Sequence, residues 1–572
     1  MRARDARPRW AAIALVALAA ALLAPTAPAQ AQTFTVSNLA DTGVSGDGSL
    51  RGEVKAANAN PGADTIAFAS GLSGLIVING SGFVIEDSVD IEGPGPDQIT
   101  VEQNASNHRV FQIKLAEPGA VAIAGLTLRG GNTSGSGGDI QNAPGPTSTL
   151  TVSNCRVIYG FAEQQGGGID SFGQPLIVRS SVVSENEAMG GGGVRAGGSG
   201  TPFTIEDSTI AGNIAGVDGG GLAGEVEASG HSAVSGSTFA GNLAPFGGGG
   251  AFFSVGAGAT VTVADSTFTR NSSTELGGGL EIVSGAESTT IEDSTIAGNV
   301  AGGPHLGSGS QVAGISGFGA PQKLLDSIVA ANSGTGPGPE ISGKWATAFS
   351  LIGNPAGATL AESIPGSDLI GVDPQLGPLQ DNGGPTATMA LPPTSPAVNK
   401  GGGSLGRDQR GLARPVLYPG VPNSSAPGAN GADVGAYELQ APPVTLAPSV
   451  TPAPSPSQPA PVHKRKRKHP PRVRVSCPRS AAPGGCHVTL QVFSARPRRT
   501  TGAGGRPRPR KPVAESRVAR ANLRAGSSAE PPLIPKPGFA ARLEAANRLL
   551  VREVLKIAGR AKVSYRRMKV VR

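Results

Sequence analysis

The sequence predicts an all-β fold: a right-handed parallel β-helix solenoid, joined by a Pro-rich linker to a small basic C-terminal module. Three observations predict the solenoid. First, DSTIAGN occurs at Asp207–Asn213 and again at Asp293–Asn299, with near-copies at Ser180–Asn186, Gly236–Asn242, Asp265–Asn271 and Asp326–Asn332. The closing asparagines, Asn186, Asn213, Asn242, Asn271, Asn299 and Asn332, lie 27, 29, 29, 28 and 33 positions apart. A period near 28 means one supersecondary unit stacked on copies of itself. Second, glycine clusters follow most copies, at 190–193, 219–221, 247–250 and 277–279. Third, the segments between are short and β-prone, and no 3.6-residue periodicity runs through residues 33–440, which excludes helical solenoids.

Within a unit, Val261 and Val263 are two apart and Phe268 follows five later. An offset of five inverts a side chain on a straight strand. The chain is therefore predicted to bend at the Asp-Ser, so that both residues enter one core. The hand follows the general preference for right-handed crossovers, and residues 33–440 supply roughly a dozen coils at this period. The recurring Asp, Ser, Thr and Asn read as coil corners, with the six asparagines forming a hydrogen-bonded ladder. A carboxylate recurring in four coils is a poor catalyst, which needs one special place.

Along the chain, residues 1–31 read as a signal peptide: four arginines, a short apolar run and an Ala29-Gln30-Ala31 cleavage site. The protein is expected to be secreted, either free or associated with the cell envelope, with no membrane-spanning segment after cleavage. Residues 32–130 hold the N-terminal cap and first coils, with a short helix at about 49–59 covering the open end. Residues 131–372 are the regular coils and 373–440 the C-terminal coils. Residues 441–474 form the Pro-rich and basic linker, and 475–572 the basic module. There, VRVSCPRS and CHVTLQVFSA read as strands, and Gly538–Gly559 carries Leu543, Leu550, Val554 and Ile557 at helical spacing.

Charge is split. Residues 32–440 carry 15 basic and 36 acidic side chains, a balance of −21, whereas 441–572 carry 29 and 4, a balance of +25. The run Lys464, Arg465, Lys466, Arg467, Lys468 is the candidate contact to an anionic surface. It lacks interleaved aromatics, so no specific nucleic-acid binding is expected. Cys477 and Cys486 flank a turn-rich loop and are a candidate disulfide in an exported protein. Cys155 is expected as a buried thiol inside a coil strand. No histidine or cysteine spacing builds a metal site, and no catalytic, metal or cofactor residue is assigned. Envelope polymers or glycans are the expected partners, and the sequence leaves the oligomeric state open.

Two resemblances refine this outline. GSLRGEVKAANANPGADTIAF, carried by Leu50, Arg51, Ala57, Asn58, Asn60, Gly62, Asp64, Thr65 and Ile66, resembles the CSLREA domain of large exported bacterial β-helix proteins. Gly48 stands at that motif's cysteine. DNGGPT (Asp381–Thr386), SPAV (Ser395–Val398), DQRG (Asp408–Gly411) and DVGAYE (Asp433–Glu438) are similar, in order, to the choice-of-anchor Q domain. Asn399 replaces a more usual acidic residue. These resemblances imply a pectin-lyase-like fold and surface exposure, and name no reaction. The reading they support is a non-enzymatic, adhesin-like spacer with a long face for glycans or proteins. A secreted polysaccharide lyase or glycoside hydrolase is the first rival and a self-associating matrix protein the second. For the enzyme, carboxylates and a Lys or Arg must converge on one solenoid face at non-repeat positions.

Overall fold

The computed structural model describes residues 30–285, 289–302, 311–334, 340–403 and 405–441, and the backbone of strands between 472 and 571. The signal segment, Lys464–Lys468 and the Cys477–Cys486 pairing lie outside the described residues.

Residues 33–370 wind as a right-handed parallel β-helix. One coil shows the pattern: Val194–Ser199 on a broad face, Phe203–Glu206 on a back face, Thr209–Ala211 on a flank and Ile214–Ala215 on a short edge. Each strand pairs in parallel with its equivalent one coil on; the broad-face and back-face ladders share Ile341–Ala348 and together make a 22-stranded sheet, and the flank and edge ladders have 12 and 8 strands. Side chains alternate: Val261, Val263 and Phe268 are fully buried, and Phe239 stacks on Phe268 at 4.5 Å between ring centroids.

The five-residue offset resolves at a single residue. Asp207, Asp265, Asp293 and Asp326 occupy the left-handed backbone region, with φ of 48°, 43°, 47° and 46°. One residue there turns the chain from back face to flank and sends the next side chain inward. Asx residues tolerate this conformation better than most. The inward residue is serine, and the serines form a second ladder. The backbone N–H of Ser208 donates to Ser237 Oγ at 3.1 Å, Ser237 to Ser266 at 3.2 Å and Ser266 to Ser294 at 3.2 Å. Cys155 fills this column at the start of the series, 1% exposed, with its thiol pushed up to about 11 by burial. It sits at the bend between two strands and not inside one, because the column is built from corner residues.

The asparagines line up one column further on. Asn186 Nδ2 donates to Asn213 Oδ1 at 2.9 Å, and the same 2.9 Å contact joins Asn213 to Asn242, Asn242 to Asn271, Asn271 to Asn299 and Asn299 to Asn332. Each inner carbonyl also accepts the backbone N–H of the preceding asparagine, and each second amide hydrogen goes to a main-chain carbonyl, as Asn242 Nδ2 does to Ile210 O. Two donors and two lone pairs are thus all used away from water. The glycine clusters make room for this column. A Cβ on Gly193 would lie 2.9 Å from Asn213 Nδ2, and one on Gly250 would lie 3.0 Å from Asn271 Nδ2.

The N-terminal end is closed by helix α1 (Leu50–Ala59), capped by Ser49, whose Oγ accepts from Gly52 N at 3.0 Å. Leu50, Val54 and Ala57 enter the core. Arg51 pairs with Asp41 at 2.6 Å and holds the Ser81 and Gly82 carbonyls, while Asn58 bonds Val84 O and Glu86 N. The motif residues at this end are therefore staples between cap and first coils.

At the other end, residues 373–440 add no further parallel strand. The expected C-terminal coils are instead a strap that doubles back along the flank. Prolines and glycines in DPQLGPLQDNGGPT and LPPTSP cannot sustain a ladder. Thr386 Oγ1 donates to Gly236 O at 2.7 Å, Thr238 Oγ1 to Ala387 O at 2.6 Å and Thr267 Oγ1 to Gln409 Oε1 at 2.6 Å. Further along, Ala436 N donates to Thr295 Oγ1 at 3.0 Å and Gly435 N to Asp326 O at 2.8 Å. Leu391, Ala397, Val398 and Val434 pack on Ile328, Ala330 and Leu351.

Residues 446–572 form a separate unit. Its described backbone is antiparallel: Arg548–Ile557 lies between Cys486–Phe493 and Arg560–Val571. The helix expected within 538–559 is thus corrected to a strand over 548–557. Apolar spacing of four and three fitted a helix, but Val551, Val554 and Ile557 are β-formers, and partners on both sides decide the outcome. Val475–Ser476 pairs with Ser528–Ala529 and not with the strand from Cys486.

Candidate functional site on the broad face

The repeat columns are consumed by packing, so chemistry has to come from outward positions that do not repeat. On the broad face, strands Phe111–Ile113, Ile140–Asn142, Ile169–Phe172 and Val194–Ser199 are consecutive rungs. Alternation buries Phe111, Ile140, Ile169 and Val194, and turns Gln112, Gln141, Asp170 and Arg195 outward in one column. Adjacent rungs lie about 4.8 Å apart, so the column spans about 14 Å along the solenoid axis.

The column is wired. Gln112 Nε2 donates to Gln141 Oε1 at 3.1 Å, and Gln141 in turn hydrogen-bonds the Asp170 carboxyl. Asp170 is only 5% exposed, and its Oδ1 has no hydrogen-bond partner among the described residues. Burial pushes this carboxyl up to about 6, against the opposing pull of Arg195, Gln141 and Arg109. Arg195 lies over the Phe172 ring at 3.8 Å and reaches Glu225 Oε1 at 3.3 Å. Arg109 donates from Nε to Ser136 O at 2.8 Å, and burial lowers its affinity for the proton, opposed by Asp170. Beside it opens a recess of about 80 Å³ lined by Ser81, Gly82, Val84, His108, Arg109 and Gln112. Amide donors, amide acceptors and guanidiniums thus share one half-buried track beside a buried carboxyl. Such groups can hydrogen-bond the hydroxyls of a ligand.

The other candidates sit elsewhere. Glu206 and Glu292 are three rungs apart on the back face and do not meet. Asp265 and Asp293 occupy adjacent coils and both reach Arg414 of the strap. His231 is a surface residue bonded to Thr260 Oγ1. Among the described residues no group of three or more His, Cys, Asp or Glu could hold a metal ion, and no helix is long and apolar enough to cross a membrane. The broad-face column carries no recognisable motif, because Gln112, Gln141, Asp170 and Arg195 do not form a recurring residue type. Their spacings of 29, 29 and 25 match the coil period, and that register was the available signal.

The fold defines the class: a right-handed parallel β-helix protein. Residues 145–317 match the family model described as a right handed beta helix region. No curated protein matches the sequence. Among solved structures, the PL6 family alginate lyase AlyGC aligns at 10% identity and a TM-score of 0.27, over 68% of this chain and 60% of that one. The chain therefore spans less than two thirds of that enzyme's length.

Proposed function

We propose that this is an exported, envelope-associated β-helix protein of the CSLREA and choice-of-anchor Q type, whose broad face binds glycans without cleaving them. The observation that carries the reading is the Gln112–Gln141–Asp170–Arg195 column, a track of unlike, hydrogen-bonded polar groups at outward positions outside the repeated inward columns. The charge balance narrows the ligand. A body at −21 repels polyanions, and Glu225 already engages Arg195. The basic segment Lys464–Lys468 supplies the attraction to an anionic envelope.

The test is binding of the full chain to a panel of envelope and plant polysaccharides, scored for retention and for released products. Arg195→Ala is expected to weaken retention on a neutral glycan about ten- to hundredfold, the value of a hydrogen bond to a charged group. The Arg195–Glu225 pair is partly exposed and contributes little, but Arg195 also opposes the burial of the Asp170 carboxyl, so the variant's retention is compared at a temperature where it remains folded. Unchanged retention by the variant removes the broad face as the site. A second reading, cleavage of a polysaccharide, is favoured by the Asp170 carboxyl near neutrality beside Arg109 and Arg195. Release of oligosaccharides by the native chain, lost in Asp170→Asn, would establish that reading instead.

A further inference from the structure

The strap over the flank has a property that packing alone does not require. Its pin is Arg414, fully buried, 2.7 Å from Asp293, 3.3 Å from Asp265 and 3.3 Å from Glu438. Asp293 and Asp265 belong to the solenoid repeat and Glu438 to the strap's DVGAYE segment. Nearby, Asp326 Oδ1 accepts from Gly402 N at 2.6 Å, Asp433 accepts from Asn399 N and Leu439 N, and Asp408 pairs with Arg410 at 2.6 Å. Six carboxylates thus surround two guanidiniums, with Glu292 adding a seventh negative group at the margin. Fully ionised, such a cluster repels itself in a medium where charge is poorly screened.

We propose that residues 381–439 are a releasable latch, pinned to the solenoid by Arg414 and kept shut by protons shared among the carboxylates that crowd it. Burial raises all five acids that set the balance: Asp265 to about 8, Asp326 and Glu438 to about 7, Asp293 and Asp433 to about 6. Once the strap lifts, these groups return towards ordinary carboxylate values near 4. The closed form therefore binds more protons than the open form between about pH 4 and 8. Its stability is complete only below about pH 4 and is lost progressively as pH rises from there to about 8. This is opposite to the usual acid-labile ion pair, because there are too many carboxylates for the available cations. Opening uncovers the threonine hydroxyls of the flank (Thr238, Thr267 and Thr295) and the apolar patch under Leu391 and Val434.

Hydrogen exchange on the full chain tests this. The amides of Gly402, Gly435 and Ala436 report the strap, and those of Val261 and Val263 report the solenoid, which corrects for the intrinsic pH dependence of exchange. One proton taken up on closing changes the closing constant tenfold per pH unit, so strap protection relative to solenoid should fall at least about a hundredfold from pH 6 to 8. A ratio that stays constant or rises over that range overturns the latch. Asp265→Asn removes one of the excess charges without removing the pin. It should carry strap protection to higher pH, and an unshifted profile in that variant also contradicts the proposal.

Discussion

Replacing Arg414 by methionine is expected to cost about 3–5 kcal/mol, the penalty for leaving buried charges without their partner. Arg414 is 0% exposed on its side chain and reaches carboxylates from two coils and from the strap. Its Nη2 also donates to Gly435 O at 2.5 Å. Methionine keeps much of the volume, so the loss should come from electrostatics rather than from a cavity. Because the strap lies outside the parallel ladders, the damage should be local. Proteolysis should cut first between 386 and 438, while circular dichroism keeps its strand signal. Loss of the strand signal at the same denaturant concentration as strap cleavage would mean that strap and solenoid unfold as one unit.

Asn242→Ala is expected to be at least as damaging, and its damage should be global. The substitution strands the backbone N–H and Nδ2 of Asn213 and the carbonyl of Ile210. Each orphaned buried group costs about 1–3 kcal/mol, so the total for the three is roughly 3–9 kcal/mol. Coils are coupled only to their neighbours, so a fault in the middle divides the solenoid into two shorter stacks. A broadened or two-step denaturant transition is the expected readout. A shift under about 1 kcal/mol would show that water or a rearranged turn replaces the amide.

How much of this was legible in the sequence follows from sequence separation. The solenoid, its inward serines and asparagines and the capping helix were legible because each is written several times or within ten residues. Asp293 and Ser294 recur with Asp265 and Ser266, and the bend they make is visible as a five-residue offset. The strap was not legible. Its contacts join Thr386 to Gly236, Gln409 to Thr238 and Arg414 to Asp265 across 149 to 171 residues, and no local pattern announces a pairing used once. The same aspartates that read as mere corners thus also serve as the strap's dock. The broad-face column lay between these cases: its period was present, and its residue types hid it. In the basic module, apolar spacing favoured a helix where neighbouring strands impose a strand over 548–557.

The central claim is that the repeated polar residues bind coil to coil and that recognition belongs to positions that do not repeat. A double-mutant cycle on the asparagine column tests it most directly. Asn242→Ala and Asn271→Ala remove side chains joined at 2.9 Å, so the two costs should fall short of additivity by about 0.5–3 kcal/mol, whereas Asn186→Ala and Asn332→Ala, at opposite ends of the column, should add. Strict additivity for the adjacent pair would contradict the claim.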